Sequence, residues 1–408
     1  MYLTHLSLTN FRNYSRLDIE IPRRAVLLVG NNAQGKTNLL EAVYFLTAFT
    51  SFQTHSDRQM VNFIAAREQI AVGRLVADYK RGDRSHRMEA RLILEPTGYN
   101  GKRLRKEILL DGVKRPLVEV IGHFNAVVFV PQMSRIIEGG PDERRRYINL
   151  SIAQSEPGYA RALSEYSQAV TQRNALLKLL SERRGDPEQL AYWDEIISRS
   201  GAVIIKERIQ ALIDLEEISR SYHQGLTNDI EVLHLDYHPA FEPMPGMDGQ
   251  ISLPMDTRVD RSKLTLDEIR EGFLSRLKHI RAEEISRGMT TIGPHRDDIR
   301  FLVNRLDLGD YGSRGQIRTA LLALKLAEVQ WMHDRTGQWP VILLDEVMAE
   351  LDGHRRNDLL KHLSNCEQSM LTTTDLAPFD SEFVANAACW TINAGQVSGM
   401  EPKEKGCL

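Results

Sequence analysis

An α/β chain carrying an inserted, mainly helical second domain is what three features of this sequence predict. A short apolar run, Ala25 to Val29, leads into Gly30-Asn31-Asn32-Ala33-Gln34-Gly35-Lys36-Thr37, then into a segment with Leu39, Leu40, Val43 and Leu46 at helical spacing. A second apolar run, Val341 to Leu344, ends on Asp345 and Glu346. Between the two, from about Glu156, the hydrophobic period changes from that of strands to that of helices.

Taken in order, residues 1–21 alternate apolar and polar in two runs, Leu6/Leu8 and Leu17/Ile19/Ile21, which predicts a hairpin ahead of the Ala25–Val29 strand. Further strands are expected at "AVGRLVADY", "MEARLILE" and "KEILLDG". Two helical stripes follow, Leu163, Tyr166, Val170, Leu177, Leu180 and then Trp193, Ile196, Ile197, Ile204, Ile209, Leu212, Ile213. The turn-like "ERRGDPEQ" between them makes an antiparallel helical hairpin, either protruding as a coiled coil or packed as the core of a compact domain. The proline-rich span 242–262 reads as a mobile loop, and a helix is expected over about 265–287. "TTIGPHRDDIRFLV" returns to strand pattern and is expected to re-enter the first domain. These patterns predict an N-terminal lobe at 1–150, a helical insert at 151–289, a C-terminal lobe at 290–397 and a tail at 398–408.

Composition is that of a globular protein, with 42% hydrophobic and 26% charged residues. The net charge of −3 provides no global positive field, so contact with nucleic acid would have to use local patches. Cys366, Cys389 and Cys407 show no metal-ligand spacing, and no secretory leader is evident, which points to a reducing cytoplasm. No apolar stretch approaches the roughly 18 residues that cross a membrane.

The chemistry begins at residues 30–37, which fit the phosphate-loop pattern of Gly, four residues, Gly-Lys-Thr. Glycines let successive backbone N–H groups turn toward phosphates, and the helix N-terminus adds partial positive charge. Lys36 is expected on the β and γ phosphates of ATP and Thr37 on magnesium; the alternative, a chance glycine turn before a helix, is disfavoured by the full pattern in this context. Asp345, at the end of its apolar strand, is expected in the magnesium shell, and Glu346 is placed to polarise a water; without the phosphate loop the pair would read equally well as a turn or cap. "YGSRGQIRTALLALKLAEVQ" sets Ser313, Gly315 and Gln316 before a helix with Ile317, Leu321, Leu324 and Ala327 on one face. Such a helix end can bind a second anion, which two facing subunits would use, each completing the nucleotide site of the other. The simpler alternative is an N-capped amphipathic helix.

Together these features resemble the ATP-binding-cassette ATPase head of the SMC-like branch, and more narrowly the RecF family of bacterial recombinational-repair ATPases. The similar segments are "PQMSRIIEGGPDERRRYIN" (131–149), "TIGPHRDD" (291–298), "LLDEVMAELD" (343–352) and "TTTD" (372–375), and the resemblance covers about residues 1–397. It implies that Thr374 senses the γ phosphate where transporter ATPases have a histidine, that Asp352 lies on the loop crossing a dimer interface, and that Arg12 lies near the nucleotide. It also implies a metal contact for Gln132, which departs from the acidic residue common there; Asn149 and Arg314 are further departures. A weak, DNA-stimulated ATPase is implied, a homodimer when ATP is bound, with double-stranded DNA and single/double-strand junctions as partners, and RecO and RecR as co-workers in loading a recombinase during gap repair. A transporter subunit, a chromosome-organising SMC protein and a scaffold using ATP as interface glue are the rival readings. For DNA, the basic clusters 80–87, 101–106 and 143–147 are candidates, Arg103 and Arg105 above all, set against the ordinary fate of charge runs as solvated faces.

Overall fold

The computed structural model describes residues 1–54, 56–97, 101–242, 259–364 and 366–400. In chain order its elements are β1 (Tyr2–Phe11), β2 (Tyr14–Glu20), β3 (Ala25–Val29), α1 (Lys36–Ala48), β4 (Ala71–Arg81), β5 (Arg84–Thr97), β6 (Gly101–Leu110), β7 (Val113–Arg115), α2 (Leu117–Val120) and β8 (Ala126–Phe129). There follow α3 (Arg135–Glu138), α4 (Pro141–Ser155), α5 (Tyr159–Ser181), α6 (Leu190–Thr227), β9 (Leu233–His238), α7 (Leu266–His279), α8 (Arg281–Arg287), β10 (Asp298–Val303), β11 (Leu306–Asp307) and α9 (Leu308–Tyr311). The last described elements are α10 (Arg314–Thr336), β12 (Val341–Asp345), α11 (Gly353–Ser364), β13 (Ser369–Thr373), α12 (Ser381–Asn386), β14 (Ala388–Asn393) and β15 (Gln396–Met400).

These elements form two compact units, Met1–Met133 with Glu328–Leu408, and Ser134–Ala327. The first unit holds two six-stranded sheets. One is antiparallel, in the order β2-β1-β4-β5-β6-β7, and contains the expected N-terminal hairpin and the three strands expected after it. Alternation explains much of it: Leu3, Leu6, Leu8, Ala90 and Leu92 are buried, while Thr4, His5, Ser7 and Arg91 between them are half-buried polar residues. The other runs β15-β14-β3-β13-β12-β8, parallel except for β15. Its central strands read as continuous apolar runs because both faces are covered; all five residues of β12 are buried. Register aligns the carboxyl ends: Val29 lies opposite Thr373, Asp345 opposite Thr372, and Leu344 opposite Phe129. Ligands of open parallel sheets bind at that edge.

In the second unit α5 and α6 pack antiparallel, as Arg173 bonding Asp194 and Tyr166 lying against Gly201 require. Because α6 also packs on α7 and β9, the pair is the core of a compact unit and not a free coiled coil. Three expectations are corrected. The helix expected at 265–287 breaks at Ile280 (φ −91°, ψ 7°) into α7 and α8, and α8 brings Glu284 against Arg173 and Arg281 against Asp194. The strand at 298–303 does not re-enter the first unit; it pairs with β9 and β11 in a three-stranded sheet. The second unit is accordingly wider than 151–289, since α4 packs on β10 and α6 and draws both flanks into it. The expected loop at 242–262 lies, over 243–258, outside the described residues.

Candidate functional site

The turn from β3 into α1 is dictated by close approaches that only glycine permits. A Cβ on Gly30 would stand 2.4 Å from the Ile392 carbonyl oxygen, and Gly35 takes φ 111° with the Asn13 amide against it. Two further turns brace the loop. Gln34 accepts N–H bonds from Ala394 at its side-chain oxygen (2.8 Å) and from Gly395 at its backbone carbonyl (2.9 Å), and Asn13 donates to that carbonyl at 3.1 Å. The buried Tyr14 hydroxyl donates to the Gly35 carbonyl at 3.0 Å. Ala33 sits at φ 64°, and Gln34 Nε2 lies 3.4 Å from the Asn32 carbonyl.

Lys36 is not the solvent-facing residue that a loop lysine suggests. It is 3% exposed, and its Nζ donates to the carbonyls of Gly30 (2.6 Å) and Asn31 (3.0 Å) of the loop itself. The Glu346 carboxylate lies 3.8 Å from Nζ. Thr37 Oγ1 donates to Asp345 Oδ1 at 2.7 Å. The same oxygen accepts from Thr372 Oγ1 at 2.9 Å, and Thr372 Oγ1 in turn accepts the Glu346 N–H at 2.9 Å. Burial pushes the Asp345 carboxyl above the usual carboxylate range, against the two hydroxyls and Lys36, which favour ionisation. A hydroxyl and a buried, charge-starved carboxylate on one point are a donor set that suits a hard divalent cation, so these residues fit magnesium.

At the same sheet edge, Gln132 lies exposed in the turn after β8, and Thr374 is exposed one residue beyond β13, its Oγ1 3.3 Å from its neighbour Asp375. Asp352 accepts from the Arg355 N–H and guanidinium at 3.0 Å each, which holds its carboxyl below the usual range; it opens α11. Arg12 behaves differently. Its guanidinium grips Glu41 of α1, which is 0% exposed, with two 2.6 Å bonds, and it also donates to the Gln59 carbonyl; among the described residues none of its partners belongs to the phosphate loop. Arg12 therefore supports the helix that carries Lys36 and Thr37.

In the second unit Ser313 and Gln316 form a reciprocal cap on α10. Gln316 N–H donates to Ser313 Oγ at 3.2 Å and Ser313 N–H to Gln316 Oε1 at 3.0 Å, while Gln316 Nε2 donates to Glu231 at 2.7 Å. Ser313, Arg314 and Gly315 are exposed, and Ile317, Leu321, Leu324 and Ala327 are buried.

The basic clusters are largely committed. Arg144 makes a two-pronged pair with Asp298, Arg145 contacts Asp142 and the Asp297 carbonyl, and Arg87 pairs with Asp78. Arg105 is held by Glu95 and Glu107. Arg103 is exposed and, among the described residues, has no acidic partner. Two residues that bear on the site, Thr372 and Asn13, escaped the sequence reading. Each stands within two residues of one that did not, Thr374 and Arg12, and only the fold distinguishes them.

The match to known proteins is decisive at this point. A family model described as RecF/RecN/SMC N terminal domain matches residues 2–382. The DNA replication and repair protein RecF of Roseiflexus castenholzii is 36% identical over 408 residues, covering 97% of this chain and 99% of its own. The chain belongs to the RecF family. RecF of Bacillus subtilis is 32% identical, with coverage of 97% and 99%. A solved structure of the recombination mediator protein RecF with ATP, of the RecFOR pathway, matches with a TM-score of 0.81 at 31% identity over 98% of each chain. An SMC head bound to the C-winged helix domain of ScpA matches at 14% identity and TM-score 0.51, over 99% of each chain, a likeness of fold alone. The ATP-binding-cassette head expected from the motifs is thus the fold of this RecF-family chain. Among the described residues, no helix is long and apolar enough to cross a membrane.

Proposed function

We propose that this RecF-family chain is an ATP-dependent DNA-binding switch of replication and repair. ATP bound at the loop of residues 30–37 closes two copies on duplex DNA or a single/double-strand junction, and slow hydrolysis releases them. The observation that carries the reading is the convergence of Lys36, Thr37, Asp345 and Glu346 within hydrogen-bond or ion-pair reach at one sheet edge. The ATP complex of the similar solved structure supports the nucleotide, and the shared description of its relatives supports the setting.

Each residue has a task it can perform from its place. Lys36, once its two carbonyl contacts exchange for phosphate oxygens, neutralises charge that grows as the γ phosphoryl group leaves. Thr37 and Asp345 would hold magnesium, which would supply positive charge against the nucleotide's phosphates. Glu346, 45% exposed where Asp345 is buried, orients a water and accepts its proton. Thr374 and Gln132 border the same edge and would contact the γ phosphate and the metal shell. Ser313 and Gly315 of a second copy would complete the site, with Asp352 at the junction. Cooperation with RecO and RecR in loading recombinase follows from the family, as does a cytoplasmic location.

Sedimentation of the full chain with and without ATP and magnesium tests this reading. ATP should convert monomer to dimer and increase retention on a duplex with a single-stranded gap. A chain that binds ATP and stays monomeric on DNA would sink the switch.

A further inference from the structure

We propose that Thr372 is a positioning residue that sets both carboxylates of the nucleotide site. The inference rests on the ATPase reading above and adds a residue outside its motifs. Thr372 lies on β13, directly opposite Asp345 of the parallel strand β12, and is 1% exposed. Its hydroxyl has one proton and lone pairs, and both neighbours dictate their use. The Asp345 carboxylate can only accept, so the proton goes to Oδ1 at 2.9 Å; the Glu346 amide can only donate, so its N–H goes to Thr372 Oγ1 at 2.9 Å.

The consequence falls on Glu346. That residue has φ 55° and ψ 14°, the left-handed region that residues with a side chain rarely adopt. Something must hold it there, and the bond from its own N–H to a buried hydroxyl on the next strand is the restraint at hand. The left-handed turn ends β12 at Asp345 and starts the next turn one residue later, which places the Glu346 carboxylate 3.8 Å from Lys36 Nζ. Thr37 and Thr372 approach the same Asp345 oxygen from α1 and β13, so the carboxylate is fixed from two sides. A valine at 372 would keep the shape of threonine, orphan the Glu346 N–H and remove one of two hydroxyls from Asp345.

The test compares Thr372→Val, Thr372→Ser and Glu346→Gln in the full chain. Without nucleotide, exchange of the Glu346 amide hydrogen should quicken on the order of tenfold in Thr372→Val, as expected for loss of one hydrogen bond, and stay slow in Thr372→Ser. With ATP and magnesium, kcat of Thr372→Val should fall roughly ten- to a hundredfold, the scale of a misplaced catalytic group, while KM changes less than about threefold and serine restores kcat. Adding Thr372→Val to Glu346→Gln should cost less than Thr372→Val costs in the wild type, because the part that acts through the glutamate is already gone and only the part through Asp345 remains. Thr372→Ala gives the same readouts if valine does not fold, with ATP affinity as the folding control. Wild-type exchange and kcat in the valine and alanine variants, or failure of serine to restore them, overturns the proposal. A Glu346→Gln protein that hydrolyses like wild type overturns the underlying reading instead.

Discussion

Thr37 Oγ1 and Asp345 Oδ1 meet at 2.7 Å across 308 residues of sequence. The sheet order explains the meeting. β3 and β12 flank β13, and α1, starting at Lys36 just beyond β3, packs back over β12 as well as β13. The phosphate loop and the acidic strand end therefore face one crevice at the carboxyl edge of a parallel sheet, where the fold leaves room for a ligand.

Lys36→Met tests the loop. The methionine keeps the apolar stem and removes the charge, so ATP affinity should fall a hundredfold or more, about 2.7 kcal/mol. Because Lys36 is buried and serves the Gly30 and Asn31 carbonyls, the nucleotide-free protein should also lose about 1–3 kcal/mol of stability. Calorimetric titration with ATP and urea denaturation measure the two effects. A variant that binds ATP normally removes the assignment of the loop.

What was legible in the sequence is what is local. The phosphate loop, the apolar strand before Asp345 and the helical stripes depend on residues within a few turns of one another, and period and motif record them. What escaped depends on register between distant strands. Thr372 and Thr374 look alike in "TTTD", yet the former, opposite Asp345, bonds it from the strand interior, while the latter stands exposed beyond the strand end. The basic run at 143–147 looks available until Asp298, brought alongside by β10, absorbs Arg144. The boundaries at 150 and 289 were misplaced for a related reason, since the pairing of β9 with β10 joins segments that sequence keeps 60 residues apart, as the contact of Tyr237 with Asp297 shows.

DNA contacts can be assigned by salt dependence, and the structure separates two arginines that sequence treated together. Arg105 already satisfies Glu95 and Glu107, whereas Arg103 has no acidic partner among the described residues. If β6 meets a duplex, Arg103→Ala should reduce the slope of log affinity against log salt by about 0.9, the share of one phosphate. Arg105→Ala should change it less. Equal slopes for wild type and Arg103→Ala would return the whole strand to solvent.

His295 should make the second unit sensitive to mild acid. Its Nδ1 takes the Tyr166 hydroxyl at 2.6 Å, and burial lowers its pKa to about 4 from an ordinary value near 6.5. Between those values the unfolded chain binds the extra proton, so stability rises with pH across that window and the penalty is absent above about pH 7. At pH 5 it amounts to about 2 kcal/mol. Chemical denaturation at pH 5 and 7.5 should show the wild type losing about that much more than His295→Gln. An equal loss in both would mean the imidazole is not held neutral.

The last prediction sets the two halves of the composite site against each other. Glu346→Gln keeps size and hydrogen bonding while removing the base, so ATP should bind, the dimer should close and hydrolysis should nearly stop. Ser313→Arg puts a bulky charge where a second copy would approach, so each loop should bind ATP while closure fails. The cap geometry adds a control that the motif alone did not suggest. Ser313 Oγ serves the Gln316 N–H, so arginine there also loses about 1 kcal/mol of helix capping, and Ser313→Ala measures that loss without the bulk. In sedimentation with ATP and magnesium, Glu346→Gln should be more dimeric than wild type and hold DNA longer, Ser313→Ala should dimerise, and Ser313→Arg should remain monomeric. Mixing the two outer variants yields a heterodimer with one damaged signature and one closable site, which should show intermediate dimerisation. Normal dimerisation by Ser313→Arg would leave residues 313–316 as the capped start of a buried helix and nothing more.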